Sequence, residues 1–247
     1  MDRNPTESYT THLSTKTWYA FDLDDTLHEF RNASTTASTA VFQTIHQETG
    51  VSIGALKTTY RDILARTADV SAFTDGKTSL EYRRDRFSRL LHRHVIPSSD
   101  EKVDSLVRIY QTRLKEALRL KPGAFQLLQT IKRLGKYVLV ITEGPQDSQE
   151  WTLNELGLLP YVDLLVTSNG MGVSKVDGLF PLVLRRFAIS AQDMLYMGDN
   201  ESRDVLPARE VGILAVLYDQ SGPSQLHDPL DLRVNSLTTL SLMLESP

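Results

Sequence analysis

Residues 18–27, Trp-Tyr-Ala-Phe-Asp-Leu-Asp-Asp-Thr-Leu, constrain this chain more than any other stretch. Trp18 to Phe21 is an apolar run with the length of a buried strand, and it empties into Asp22, Asp24 and Asp25. Carboxylates crowded at the end of a buried strand lose hydration and repel one another. The fold must then supply a cation or a proton to offset the cost. The physical reading is a divalent metal site at the carboxyl edge of a sheet, where open α/β sheets bind their ligands.

The rest of the chain divides unevenly around that strand. From Ala33 to Leu118 the patterning is helical, over roughly 33–49, 54–69, 78–93 and 99–118. Gly50 stops the first of these, and Ser98-Ser99-Asp100 starts the last. Val103, Leu106, Val107, Tyr110, Leu114 and Leu118 recur at helical spacing and make one apolar face. After Lys121-Pro122-Gly123 and a helix over 124–134, strands and helices alternate. Strands are expected at 137–141, 162–167, 194–197 and 213–217, with a short one near Val234. Helices are expected at 147–156, 179–187, 202–211 and 236–244. Alternation of this kind implies a doubly wound parallel sheet with right-handed crossovers. The expected organisation is an α/β, Rossmann-like core over 17–30 and 118–247, an inserted all-α cap over 31–117, and a flexible leader over 1–16.

In such a sheet the carboxyl ends of the strands share one edge, and the chemistry-bearing residues fall there. The first strand gives Asp22 and Asp24, two apart and therefore projecting the same way on extended backbone. The second gives Thr142 beside Gly144, and the third is followed by Lys175 in a glycine-containing loop. The fourth gives Asp199 and, five residues on, Asp204. Carboxylates, an ammonium, a hydroxyl and tight glycine turns suit a doubly charged metal and a phosphoryl group. Oxygen-only ligands favour magnesium over zinc.

Asp22-Leu23-Asp24-Asp25-Thr26, Thr142, Lys175 and Gly198-Asp199-Asn200-Glu201-Ser202-Arg203-Asp204 resemble, in order, the four motifs of the haloacid dehalogenase-like hydrolases. The resemblance covers residues 18 to about 217, and the helical insertion matches the cap that the family places after its first motif. It implies that Asp22 is the nucleophile and forms an aspartyl-phosphate. Asp24 is then the general acid/base and also lends its backbone carbonyl to the metal. Thr142 hydrogen-bonds a phosphoryl oxygen, and Lys175 neutralises charge on Asp22 and the transferring group. Asp22, Asp24, Asp199 and Asp204 hold Mg2+. Thr26 supports the turn and is grouped with Glu143 and Gly144 as substrate-binding. An acid at position 24 points to phosphoester chemistry, because a departing halide needs no proton. Two positions depart from the family pattern. Val176-Asp177-Gly178 follows the lysine where proline is usual, and Glu143 stands where a small polar residue is common.

Among the remaining features, the run from Lys77 to Arg93 is rich in Lys and Arg, and Lys77 and Arg86 are the candidates to meet a substrate anion from the cap. His92 and His94 read as part of a solvated basic face, and Gly170-Met171-Gly172 as the loop that carries Lys175. The chain has 247 residues, no cysteine and a net charge of −4, which excludes disulfides and cysteine-zinc sites and argues against nucleic acid as a partner. No stretch is apolar and long enough to span a bilayer, so no membrane partner is expected and a cytoplasmic location is the default. The expected function is a magnesium-dependent phosphatase, monomeric or homodimeric. Its substrate would be a small phosphorylated metabolite: a sugar phosphate, phosphoglycolate or a nucleoside monophosphate. The alternatives are a phosphomutase of the β-phosphoglucomutase type and a non-catalytic phosphate-binding regulator.

Overall fold

The computed structural model describes residues 13–71, 73–225 and 232–245. Its strands are β1 (Trp18–Phe21), β2 (Tyr137–Thr142), β3 (Leu164–Thr167), β4 (Met194–Gly198), β5 (Leu214–Tyr218) and β6 (Arg233–Val234). They form one sheet in the order β3-β2-β1-β4-β5-β6, and every pairing is parallel. The chain therefore builds outward from β1 on one side, returns, and builds outward on the other. The point where it changes sides lies between β1 and β4, and clefts in doubly wound sheets open there. Phe21 sits in register with Val140 on one neighbour and Met197 on the other, so the three central strands end at one level.

Strands covered on both faces must be apolar on both, and these are. Tyr19, Phe21, Val138, Val140, Leu195 and Met197 pack on one face with helices α5 (Ala124–Arg133) and α9 (Leu237–Glu245). Ala20, Leu139, Ile141 and Tyr196 pack on the other, against α7 (Phe180–Arg186) and α8 (Leu206–Glu210). Helix α6 (Gln146–Glu155) follows β2.

The insertion between β1 and β2 is all-helical, with α1 (Phe30–Thr49), α2 (Ile53–Ser71), α3 (Ser79–Arg93) and α4 (Asp100–Ala117) around their own apolar cluster. The stripe read from sequence on α4, Val103 to Leu114, is buried in that cluster. Local sequence fixes the helix starts. Thr78 and Glu81 make a reciprocal capping box on α3, and the Ser99 side chain accepts from the Lys102 N–H on α4. Helix α1 begins three residues before the expected position, because the acidic turn supplies its own acceptor: Asp25 Oδ1 takes the Arg31 N–H at 3.0 Å. The insertion also touches the sheet domain through polar bonds. The Asp147 carboxylate on α6 accepts from the Ser79 hydroxyl at 2.7 Å, and the Asn169 amide donates to the Lys77 carbonyl at 3.1 Å.

The leader expected over 1–16 is corrected at its end. Leu13 is buried in the core, Tyr19 Oη donates to its carbonyl at 2.8 Å, and Lys16 Nζ reaches Gln192 O at 2.6 Å. Residues 1–12 lie outside the described residues. The loop expected to carry Lys175 opens with a helical turn, Ser168–Met171, capped by the Thr167 hydroxyl. The helix expected near 179–187 is regular over Phe180–Arg186, while the one near 202–211 is regular only in its second half, Leu206–Glu210. Each opens with a wide turn in which an N–H bonds five residues back: Leu179 to Ser174 at 3.1 Å and Val205 to Asn200 at 3.4 Å. Wide turns of this type gather at functional sites, and these two carry Lys175 and Asp204.

Candidate active site at the carboxyl edge of the sheet

Asp22 leaves β1 with its N–H bonded to Met197 O at 2.8 Å, so its position is set by the sheet. Its carboxylate is 6% exposed and faces Lys175, whose ammonium donates to Asp22 Oδ1 and to Asp204 Oδ1, both at 2.6 Å. Tyr196 Oη donates to the same Asp204 oxygen at 2.7 Å, and the Asn200 N–H donates to the other at 3.1 Å. Thr26 Oγ1 approaches Asp22 Oδ2 at 3.5 Å. Asp22, Asp199 and Asp204 each place an oxygen within 4.8 Å of the others. Asp22 and Asp204 share the Lys175 ammonium, and Asp199 and Asp25 share Arg31, so the carboxylates outnumber the cations beside them.

The electrostatics carry the same imbalance. Burial, then the Asp204 and Asp24 charges, push the Asp22 carboxyl up to about 8, with Lys175 opposing. Burial raises Asp199 as well, with Arg31 opposing. Burial disfavours the Lys175 ammonium, yet Asp22 and Asp204 outweigh it and hold the group charged. A hard divalent cation between these oxygens would favour the ionised carboxylates without displacing the lysine. All-oxygen donors with no sulfur or imidazole among them fit magnesium. The Asp24 carboxylate is not part of this group. It turns to His28, whose Nε2 lies 2.9 Å from Asp24 Oδ1.

Gly198 makes the acid cluster possible. A Cβ there would lie 2.3 Å from Asp204 Cγ, and Asp204 cannot withdraw without giving up Lys175, Tyr196 and Asn200. Gly198→Ala is expected to destabilise the fold by about 1–3 kcal/mol, the cost of overpacking a tight interior. Thermal denaturation reads this directly. An unchanged melting temperature would show that Asp204 has slack.

Thr142, at the end of β2, is 1% exposed, and its hydroxyl has no hydrogen-bond partner. A buried hydroxyl without a partner is costly and uncommon. It lines a cleft of about 210 Å³ together with Asp22, Asp24, Lys175, Asp199 and Asp204, while Thr26, Gly144, Lys77 and Arg86 do not line it. Glu143 lines it too, but its charge is occupied. One carboxylate oxygen accepts the Lys175 N–H at 3.0 Å, and the other is paired with Arg203. This departure from the family pattern thus ties the loop of Lys175 to the turn of Asp204. Gly178, at φ 111°, lets the chain turn without the proline expected after the lysine. Gly144 donates its N–H to Ser168 Oγ at 3.2 Å.

The cap residues separate. Arg86 lines a second cavity of about 100 Å³ that adjoins the first through Asp24, Phe30, Phe73 and Glu143, which line both. Lys77 lines neither and pairs with Asp75 at 2.9 Å. His94 bonds Thr59 at 2.9 Å. Several site residues were not anticipated. Arg31 bridges Asp25 (3.1 Å) and Asp199 (2.9 Å). Tyr196 and Arg203 brace Asp204 and Glu143. His28 had one visible signal, its place four residues after Asp24, while the others meet their partners only through the fold.

A family model of the haloacid dehalogenase-like hydrolases matches residues 17–212. Over 126 residues the chain is 31% identical to the glyceraldehyde 3-phosphate phosphatase of Methanocaldococcus jannaschii, covering 50% of this chain and 55% of that protein. The ribulose-1,5-bisphosphate 5-phosphatase of Halopiger xanaduensis is 28% identical over 214 residues, 85% of this chain and 88% of that one. In fold, the HAD-hydrolase YfnB of Bacillus subtilis, solved bound to magnesium, superposes with a TM-score of 0.69 at 23% identity, over 94% of this chain and 99% of that one.

Proposed function

The chain belongs to the haloacid dehalogenase-like hydrolase family, and on that premise we propose that it is a magnesium-dependent phosphatase of a small phosphorylated metabolite. The observation that carries this reading is the meeting of Asp22, Asp199 and Asp204 with the Lys175 ammonium in one cleft, beside the unpartnered Thr142 hydroxyl. The phosphatase names of the Methanocaldococcus and Halopiger relatives support the reaction class. No helix among the described residues is long and apolar enough to cross a membrane.

In this reading an Asp22 oxygen attacks phosphorus, forming the aspartyl-phosphate as the P–O bond to the leaving alcohol breaks. Asp24 delivers a proton to that departing oxygen. It then takes a proton from water as the water oxygen attacks phosphorus, and the Asp22–P bond breaks to release phosphate. Asp24 lines the acid cleft and the adjoining cavity, which supports both tasks. His28 holds it at the boundary. Lys175 favours the ionised form of Asp22 and offsets charge on the phosphoryl group, and Thr142 donates to a phosphoryl oxygen. Asp22, Asp199 and Asp204, with the Asp24 carbonyl, would hold magnesium, which lowers the charge repulsion between nucleophile and phosphoryl group. The helical insertion over 31–117 serves as the cap that shields the cleft.

The test is phosphate release from a panel of small phosphomonoesters, with magnesium and after its removal by chelation. Release that depends on magnesium is the expected result. Equal release without the ion, or none from any ester, would overturn the assignment.

A further inference from the structure

The cavity beside the acid cleft holds charge that the reaction steps do not use. Arg83 and Arg86 both line it, and among the described residues neither is in an ion pair. Arg83 is 8% exposed and stacks 5.2 Å from the Tyr110 ring centroid. Arg86 lies over Phe73 at 5.7 Å and Tyr82 at 5.6 Å, and its buried Nε has no hydrogen-bond partner. Aromatic faces support a guanidinium but do not neutralise it. The Asp147 carboxylate, whose charge bears on Arg83, is taken by the Ser79 N–H and hydroxyl. Arg83, buried, and Arg86, half-buried three residues on along α3, carry positive charge with no carboxylate bonded to it, which is costly unless an anion joins them. A second unpartnered group lines the same space: Gln149, 4% exposed, has a buried amide oxygen with no donor.

We infer that this cavity receives the leaving group, and that the leaving alcohol carries a second anion, a carboxylate or a phosphate, seated on Arg83 and Arg86. The inference rests on the phosphatase reading and narrows its substrate class. Asp24 stands between the cleft and the cavity, so the ester oxygen sits there and the second anion lies a short carbon chain away. A space of about 100 Å³ suits a short fragment better than a nucleoside. Gln149 accepts from a hydroxyl or amine on the same fragment. Class thus follows from chemistry: a phosphomonoester of a short hydroxy acid, or a short-chain bisphosphate.

Two measurements test it. The first is kcat/KM for 2-phosphoglycolate and 3-phosphoglycerate (carboxylate tails), a propanediol bisphosphate (phosphate tail) and glycerol 3-phosphate (neutral tail). At least one anionic-tailed ester is expected to exceed glycerol 3-phosphate by tenfold or more. Arg86→Met should reduce that ratio at least tenfold through KM, and Arg86→Lys should restore part of it. A ratio near one in the parent, or equal ratios in parent and Arg86→Met, would overturn the inference. Which anionic tail wins separates carboxylate from phosphate. The second measurement is calorimetric binding of the same esters to the Asp22→Asn protein, which needs no turnover. Tail-selective binding that Arg86→Met abolishes, with no hydrolysis by the parent, would sink the phosphatase reading and leave the anion pocket standing. Hydrolysis with no tail preference would do the reverse.

Discussion

Asp22→Asn is expected to lower phosphate release by roughly 10⁴-fold or more, on the scale of removing a nucleophile that acts as a unit with its neighbours. The amide keeps the size and most of the packing of the carboxylate but cannot attack phosphorus. Stability should move the other way. The Asp22 carboxyl, pushed up to about 8 by burial and by Asp204 and Asp24, takes up a proton on folding. A group with a raised folded pKa costs stability as pH rises from its unfolded value, near 4, toward 8. The metal-free parent should therefore lose stability across that window, and magnesium, which favours the carboxylates, should stabilise it more at pH 8 than at pH 6. Asp22→Asn removes one of three clustered acids. In the absence of magnesium it should melt no lower than the parent at pH 8, and the extra stabilisation by magnesium should shrink. Thermal melts at the two pH values, with and without the ion, check this. Near-normal phosphate release from the variant would transfer the nucleophile role elsewhere. A magnesium effect equal to the parent's would take Asp22 out of the metal site.

Asp22, Thr142 and Asp199 were legible because they sit at strand ends, and strand ends are marked by a change from apolar to polar within one or two residues. Phe21-Asp22, Ile141-Thr142 and Met197-Gly198-Asp199 all show it. A parallel sheet then brings those ends to one edge whatever the loops do. The fold was legible for the same reason: alternating runs and turn residues fix a doubly wound order without any side-chain detail. Contacts that depend on loop path were not. Arg31 reaches Asp199 across 168 positions, and Arg203 reaches Glu143 across 60. No local pattern encodes either distance. Lys77 and Arg86 were alike on paper as basic residues of one stretch. Their fates differ because Lys77 precedes the helix and finds Asp75, while Arg86 lies on a face of α3 turned toward the sheet domain. Helical phase decides that, and phase is set by packing in the cap cluster.

Lys175→Met is expected to damage both stability and turnover, and the two losses have different causes. The methionine fills most of the buried volume, so packing is largely kept. What disappears is the charge between Asp22 and Asp204, each 2.6 Å from the ammonium. Removing one partner of a buried pair leaves an uncompensated charge and costs about 3–5 kcal/mol. Here two carboxylates lose their partner, so both are driven toward the protonated form. Magnesium should recover part of the stability, because it supplies the missing positive charge to the same oxygens. It should not recover the rate. The lysine also offsets charge on the transferring group, and losing one such contact lowers kcat by roughly 10²–10³-fold. The decisive comparison is the variant at saturating magnesium, where the melting temperature should approach the parent's while kcat remains low. If both recovered together, Lys175 would be a structural counter-ion. If neither stability nor rate changed on substitution, the ammonium would have no part in holding Asp22 charged, and the acid cluster would need another cation to balance it.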